Sequence, residues 1–359
     1  MQTRMWKKYI QLNFSALIFI LFSIIAFAND ITADDFRGSR LRGFVIGGIS
    51  NGLRSDSDLD ALASTGANVA RVFITLNRCN TCNTYEIPTS ILKTLDKLIS
   101  NLASRSINVV IVIEAKGDDS RGILWNSSEL QNSLVNQWKI VAKRYKGVSN
   151  IAGFDLLNEP VPPGQLPNYS DRQLIWLEFA EKVGFAIRSI DPKRVLIVES
   201  APDSTPTSFK FMKPLSLSNV VYSFHSYLPI QLTHQGVMKD FNTPLTYGSV
   251  INNKNDNISK QELISLLKNV ELFANKYKVP ILVGEFSCVR WSPEKSAQRY
   301  ISDSLAYFEA QGWSWTYHEF RGWHGWDAEM DSEVKTATSR SDSSSILQLL
   351  RNEMKKNNK

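Results

Sequence analysis

Eight short, almost continuously apolar runs recur along this chain, and most are followed by a stretch with helical periodicity. The runs are Phe44–Gly47, Asn68–Ile74, Asn108–Ile113, Ile151–Leu157, Val195–Glu199, Val220–Phe224, Ile281–Phe286 and Trp313–Tyr317. A strand with one wet face alternates apolar and polar residues, whereas uninterrupted runs belong to strands buried on both faces. The helical pattern is clearest at Ser90–Ser104, Ser128–Tyr145, Asp171–Ile190, Lys260–Tyr277 and Glu294–Ala310. Strand then helix, repeated about eight times at roughly 38-residue spacing, predicts a parallel (β/α)8 TIM barrel as a single domain over residues 29–359.

Two connections depart from that rhythm. Only about twenty residues separate the fifth and sixth runs, so Thr205–Lys213 predicts a short or irregular fifth helix. Pro229 to Ile258 is instead a polar stretch of about thirty residues, too long for a passive turn. Elaborated loops after barrel strands face the substrate.

The first residues are of another kind. Arg4, Lys7 and Lys8 precede an apolar run from about Phe14 that closes on Ala26-Phe27-Ala28, the pattern of a secretory signal peptide over residues 1–28. Cleavage implies an exported protein, secreted or periplasmic, with no membrane contact; the alternative is an uncleaved signal anchor. The formal charge of +6 loses three with this segment, and the remaining basic residues are scattered, so no nucleic-acid partner is expected and a monomer is the simplest state.

Three cysteines are too few for a disulfide scaffold. Cys79 and Cys82 lie in an Asn/Thr-rich loop after a strand rather than at the start of a helix, which favours a loop-stapling disulfide over a redox C-x-x-C, and Cys288 is left as an odd thiol.

Two glutamates end apolar strands. Gly153-Phe154-Asp155-Leu156-Leu157-Asn158-Glu159-Pro160 delivers an amide and a carboxyl to a strand tip, and Ile281-Leu282-Val283-Gly284-Glu285-Phe286 delivers a second carboxyl. Barrel active sites sit at the C-terminal ends of the strands. Two carboxyl groups there are what glycoside cleavage requires: one protonates the leaving oxygen, the other attacks or activates water. No G-x-S-x-G elbow, H-E-x-x-H pair or phosphate-binding P-loop occurs. His318 and His324 make too weak a pair to indicate a metal, Gly47-Gly48 with Gly52 lacks dinucleotide-loop spacing, and no cofactor is expected.

N-E-P at the fourth strand, H-S-Y at the sixth and G-E-F at the seventh resemble glycoside hydrolase family 5, the cellulase family, over most of the mature chain. The resemblance implies retaining hydrolysis with Glu159 as acid/base and Glu285 as nucleophile. It puts Asn158 on the hydroxyl beside the reacting carbon and Arg71 under the nucleophile. His225 and Tyr227, which share a strand face by their two-residue spacing, then touch acid/base and nucleophile respectively.

Two positions depart from the family. The third strand ends Ile113-Glu114-Ala115-Lys116-Gly117 where many members carry histidine, and His318 falls where many carry a stacking tryptophan. Trp315, Trp323 or Trp326 then supplies the flat apolar platform that a sugar ring needs, with Trp315 equally compatible with a core position. The implied substrate is a β-linked polysaccharide or oligosaccharide, with endo-β-1,4-glucanase activity ahead of β-mannanase. A barrel that binds carbohydrate without cutting it is the competing class.

Overall fold

The computed structural model describes residues 31–358 apart from 48, 50–53, 80, 116–118, 165–168, 249, 252–255, 258 and 332–333. The signal-peptide expectation for residues 1–28 lies outside them, as do Gly48, Gly52, Lys116 and Gly117. Eight parallel strands close on themselves: β1 Arg42–Ile46, β2 Val69–Cys79, β3 Asn108–Ala115, β4 Ile151–Asp155, β5 Leu196–Glu199, β6 Val220–Ser226, β7 Ile281–Phe286 and β8 Ser314–Tyr317. Pairing of β1 with both β2 and β8 seals the barrel. Every predicted strand is present.

Outside the strands run α1 Asp56–Ser64, α2 Thr89–Ala103, α3 Ser128–Tyr145, α4 Tyr169–Arg188, the single-turn α5 Ile230–Thr233, α6 Lys260–Tyr277, α7 Ser296–Gln311 and α8 Ser345–Met354. Ser55, Ser127 and Ser259 cap α1, α3 and α6 by accepting a hydrogen bond from the backbone N–H three residues on. Each such cap stabilises its helix by about 1 kcal/mol. Helix α2 shows how the ring adheres: Leu92, Leu95, Leu98, Ile99 and Leu102 form one apolar stripe, buried in the shell between helices and strands. Each such side chain contributes about 1.5–3 kcal/mol of burial.

The short fifth connection is a 3-10 helix, Pro206–Phe211, in place of a full helix. Strand β2 runs five residues beyond its predicted end because Asn77–Cys79 pairs antiparallel with Thr84–Glu86. Tyr85 anchors that extension on α3: Ser133 Oγ accepts from its backbone N–H, and its carbonyl accepts from Gln137 Nε2. A Cys79–Cys82 disulfide closes the turn, as expected of a loop staple, and Cys288 is free and buried.

Inside the barrel, Val69, Val110, Ala152, Ile197, Val221 and Leu282 form an apolar lower layer packed against Phe36 of the N-terminal 3-10 helix Ala33–Phe36. Above it the lining turns polar, with Arg71, Asp155, Glu199, His225 and Glu285 all buried. That change in the lining sets the site at the C-terminal end of the strands.

Candidate active site

A cleft of about 920 Å³ opens at that end, floored by Asn158, Glu159, His225, Tyr227, Glu285 and His318. The Pro229–Ile258 connection supplies a wall through Ile230, His234, Val237 and Met238, so this long loop does face the cleft.

Glu285 points inward because β7 is irregular. Leu282 packs with the barrel lining and Val283 with the helix-side core, so strict alternation would send Glu285 outward with Val283. The register against β6 slips between Val283 and Glu285, placing Glu285 beside His225 and returning Phe286 to the helix side. This bulge at Gly284 turns the carboxylate into the barrel. There Oε1 accepts from Arg71 Nη1 at 2.7 Å and Oε2 from the Tyr227 hydroxyl at 2.7 Å.

Arg71 is fully buried and spreads its guanidinium over four partners. Nε donates to Asp155 Oδ2 at 2.9 Å, Nη1 to Glu285, and Nη2 to Glu199 Oε1 at 2.6 Å and Asn158 Oδ1 at 3.0 Å. Glu159 approaches from the other side. Its Oε1 lies 2.9 Å from His225 Nδ1 and its Oε2 3.5 Å from Arg121 Nη2. Its side chain keeps 28% of its surface against 7% for Glu285, so Glu159 meets the open cleft while Glu285 sits beneath it.

The charges of this cluster are distributed by burial and by neighbours. Burial acts to raise Glu285, yet His225, His318 and Arg71, with the Tyr227 hydrogen bond, outweigh it and hold the carboxyl at about 2. Burial likewise acts to raise Glu199, and His225, Arg71 and the Ser204 hydrogen bond bring it to about 2. Burial and the adjacent Glu199 push Asp155 well above the usual carboxylate range. Burial opposes a charge on His225, but Glu285, Glu199 and Glu159 lift it well above the usual imidazole range. Arg71 and His225 thus lie between Glu199 and Glu285, within ion-pair reach of both. Burial and Glu285 raise Tyr227 far enough to keep its hydroxyl a donor.

The predicted residues separate into two groups. Asn158, Glu159, Arg71, His225, Tyr227, Glu285 and His318 come together, and His318 Nδ1 lies 2.8 Å from the Tyr227 hydroxyl oxygen. Trp315 does not join them. It is fully buried on the helix side of β8, where its ring packs edge-on to Phe286 and its Nε1 donates to Glu309 of α7. Trp323 is not among the residues lining the cleft and packs edge-on to Trp326 at 4.8 Å and to Trp291 at 5.6 Å. Trp326 is the indole that lines the cleft, beside His318 and His234.

Sequence reasoning passed over Asp155 and Glu199, lone acids in otherwise apolar strands and so marked by the same signal as Glu285. Arg121, from the 3-10 turn Asp119–Arg121, carried no strand-end signal at all. Glu114, at the departing third-strand position, does line the cleft; burial raises its carboxyl, and Thr75 Oγ1 donates to it at 3.1 Å.

One carboxylate oxygen of Glu159, one of Glu285 and a ring nitrogen of His225 lie within 4.8 Å of one another. Imidazole and carboxylates can ligate a divalent cation, but Arg71 and Tyr227 already occupy both oxygens of Glu285. What the arrangement offers is one shielded carboxyl held well below the usual carboxylate range, facing one accessible carboxyl across a short gap.

Comparison with known proteins gives this geometry a family. The model of cellulase, glycosyl hydrolase family 5, matches residues 30–324. An endoglucanase of Paenibacillus polymyxa is 25% identical over 286 residues, covering 70% of this chain and 68% of that one. Endoglucanase C of Acetivibrio thermocellus is 25% identical over 225 residues, 56% of this chain and 63% of its own length. Thus the chain spans about two thirds of the curated relatives it matches. The endoglucanase Cel5A of Thermotoga maritima superposes with a TM-score of 0.72 at 23% identity, over 89% of this chain and all of that one. The cellulose synthase subunit Z of Clostridioides difficile does so with 0.69 at 22%, over 86% of this chain and 99% of that one. The chain therefore belongs to the cellulase family, glycosyl hydrolase family 5, and is a glycosyl hydrolase.

Proposed function

We propose that this protein is an exported, monomeric endo-β-1,4-glucanase that works with retention, Glu285 attacking the anomeric carbon and Glu159 serving as acid, then base. The observation that carries the reading is the unequal environment of the two carboxyls. Glu285, held at about 2 by His225, His318, Arg71 and Tyr227 against its burial, is ionised and oriented for attack. Glu159 faces the open cleft, where a leaving oxygen would arrive.

In the first half-reaction the Glu285 carboxylate forms a bond to the anomeric carbon. The glycosidic bond breaks, and the departing oxygen takes the Glu159 proton. In the second, Glu159 takes a proton from water, whose oxygen displaces Glu285 and restores both groups. The gap of at most 4.8 Å between the nearest carboxylate oxygens supports retention, because inversion needs carboxyls about 6.5–9.5 Å apart to admit water. Arg71 holds the Asn158 amide oxygen, which leaves its NH2 to meet a substrate hydroxyl. The Paenibacillus and Acetivibrio relatives are endoglucanases, which favours β-1,4-glucan. Mannan is the second reading, since the Thermotoga Cel5A has been crystallised with mannotriose.

Residues 29–359 should release reducing sugar from soluble β-1,4-glucan in preference to mixed-linkage β-glucan, mannan, xylan and laminarin. The Glu285→Gln variant should be inert while still binding the glucan. Equal turnover by the variant would remove Glu285 from the mechanism, and preference for mannan would reassign the substrate.

A further inference from the structure

The residue best placed to govern the proton-donating group is a buried glutamate on a different strand. Glu159 has φ +44, in the left-handed region, although it is not glycine. The residue after it is Pro160, and a residue preceding proline is pushed towards extended backbone. Local sequence therefore opposes the conformation that aims the Glu159 carboxyl, and something outside the segment must hold it.

Glu199, at the end of β5, makes that contact. Its Oε2 accepts the Glu159 backbone N–H at 2.8 Å and a hydrogen bond from the Ser204 hydroxyl. Its Oε1 accepts Arg71 Nη2 at 2.6 Å and lies 3.5 Å from His225 Nε2. The segment after β5 closes round Glu159 by further routes. Asp203 and Ser204 take left-handed conformations in succession, with φ +56 and +51. The Asp203 N–H donates to the Pro160 carbonyl at 3.2 Å, and the Asp203 carboxylate pairs with Arg121, which reaches Glu159 Oε2. The Ser204 carbonyl accepts the His225 N–H at 2.7 Å, and His225 Nδ1 in turn meets Glu159 Oε1.

We propose that Glu199, supported by Ser204, is a positioning residue for the acid/base: it holds Glu159 in its left-handed conformation and so aims the carboxyl at the leaving oxygen. This rests on the reading of Glu159 as acid/base. Glu199 touches no reacting atom, so its loss should imitate a misplaced proton donor rather than a missing nucleophile.

Leaving-group dependence separates the two. A dinitrophenolate departs without a proton, whereas a sugar hydroxyl needs one. For Glu199→Gln, kcat/KM on cellotetraose should fall at least 100-fold and on 2,4-dinitrophenyl β-cellobioside less than tenfold, the pattern also expected of Glu159→Gln. Ser204→Ala, the milder variant, should shift the same way by about tenfold. Equal losses on both substrates, with Glu159→Gln still selective, would overturn the proposal and leave the acid/base reading intact. If Glu159→Gln itself shows no selectivity, or the wild type cleaves neither substrate, that reading fails instead. Crystal structures of wild type and Glu199→Gln then decide the positioning role alone: departure of Glu159 from the left-handed region supports it, and an unchanged φ overturns it.

Discussion

Gly284 turns Glu285 into the barrel. The register slip between Val283 and Glu285 places Glu285 opposite His225 on β6, and the glycine at the slip packs against that same histidine. A Cβ at position 284 would meet Ser223 Oγ at 2.8 Å and His225 Nε2 at 3.1 Å. Gly284→Ala should therefore lower stability by about 1–3 kcal/mol through overpacking. It should also cost more activity than that loss explains, because His225 contacts Glu159. Urea unfolding beside kcat/KM on glucan checks this, and full activity in the alanine variant would contradict it.

Arg71 is the sole positive partner of Asp155 among the ion pairs of the described residues, and it also pairs with buried Glu199 and Glu285. Removing one partner of a buried ionic cluster strands the others without compensation, at about 3–5 kcal/mol. Arg71→Gln should show that loss in urea-unfolding midpoints and should be inactive at any temperature where it remains folded. A change below about 1 kcal/mol would mean that the carboxyls simply take up protons instead.

The acid side of the pH profile follows from the same neighbours. Burial acts to raise Glu285, while His225, His318, Arg71 and Tyr227 hold it at about 2, below its ordinary 4.5. A carboxylate with a depressed folded pKa contributes stability that is present above its unfolded value and lost as pH falls towards the folded one. Glu285, the proposed nucleophile, thus stays ionised through mildly acidic conditions, and the acid limb of kcat/KM should lie below about pH 4. Tyr227→Phe removes one hydrogen bond to the charged form, so the limb should move upward and kcat fall about 10–100-fold with little change in KM. A wild-type acid limb at about pH 5 or above would contradict the assignment.

The two tryptophans at the eighth strand and its loop should behave oppositely. Trp315 is fully buried on the helix side, so Trp315→Ala should cost about 3–5 kcal/mol of stability. Trp326 lines the cleft, so Trp326→Ala should leave the fold nearly intact and raise KM for glucan about three- to tenfold. Thermal melts and initial rates on the pair settle the matter, and a raised KM with an unchanged melt for Trp315→Ala would refute this placement.

The barrel and the positions of Glu159 and Glu285 at strand ends were legible in the chain itself. Unbroken apolar runs such as Ile281–Phe286 mark strands buried on both faces, and the helical stripe of Leu92, Leu95, Leu98 and Leu102 marks what covers them. Which way each strand residue points was not legible, for the same reason: with both faces apolar there is no alternation to read. Trp315 faces the helices, while Glu285 escapes that side through a bulge at Gly284. Nor could the chain show that Glu199, forty residues from Glu159, accepts its backbone N–H and holds it against the preference set by Pro160. Local sequence determined the elements and their order, whereas facing, bulge and charge balance arise from contacts between strands distant in the chain, which exist only once the barrel has closed.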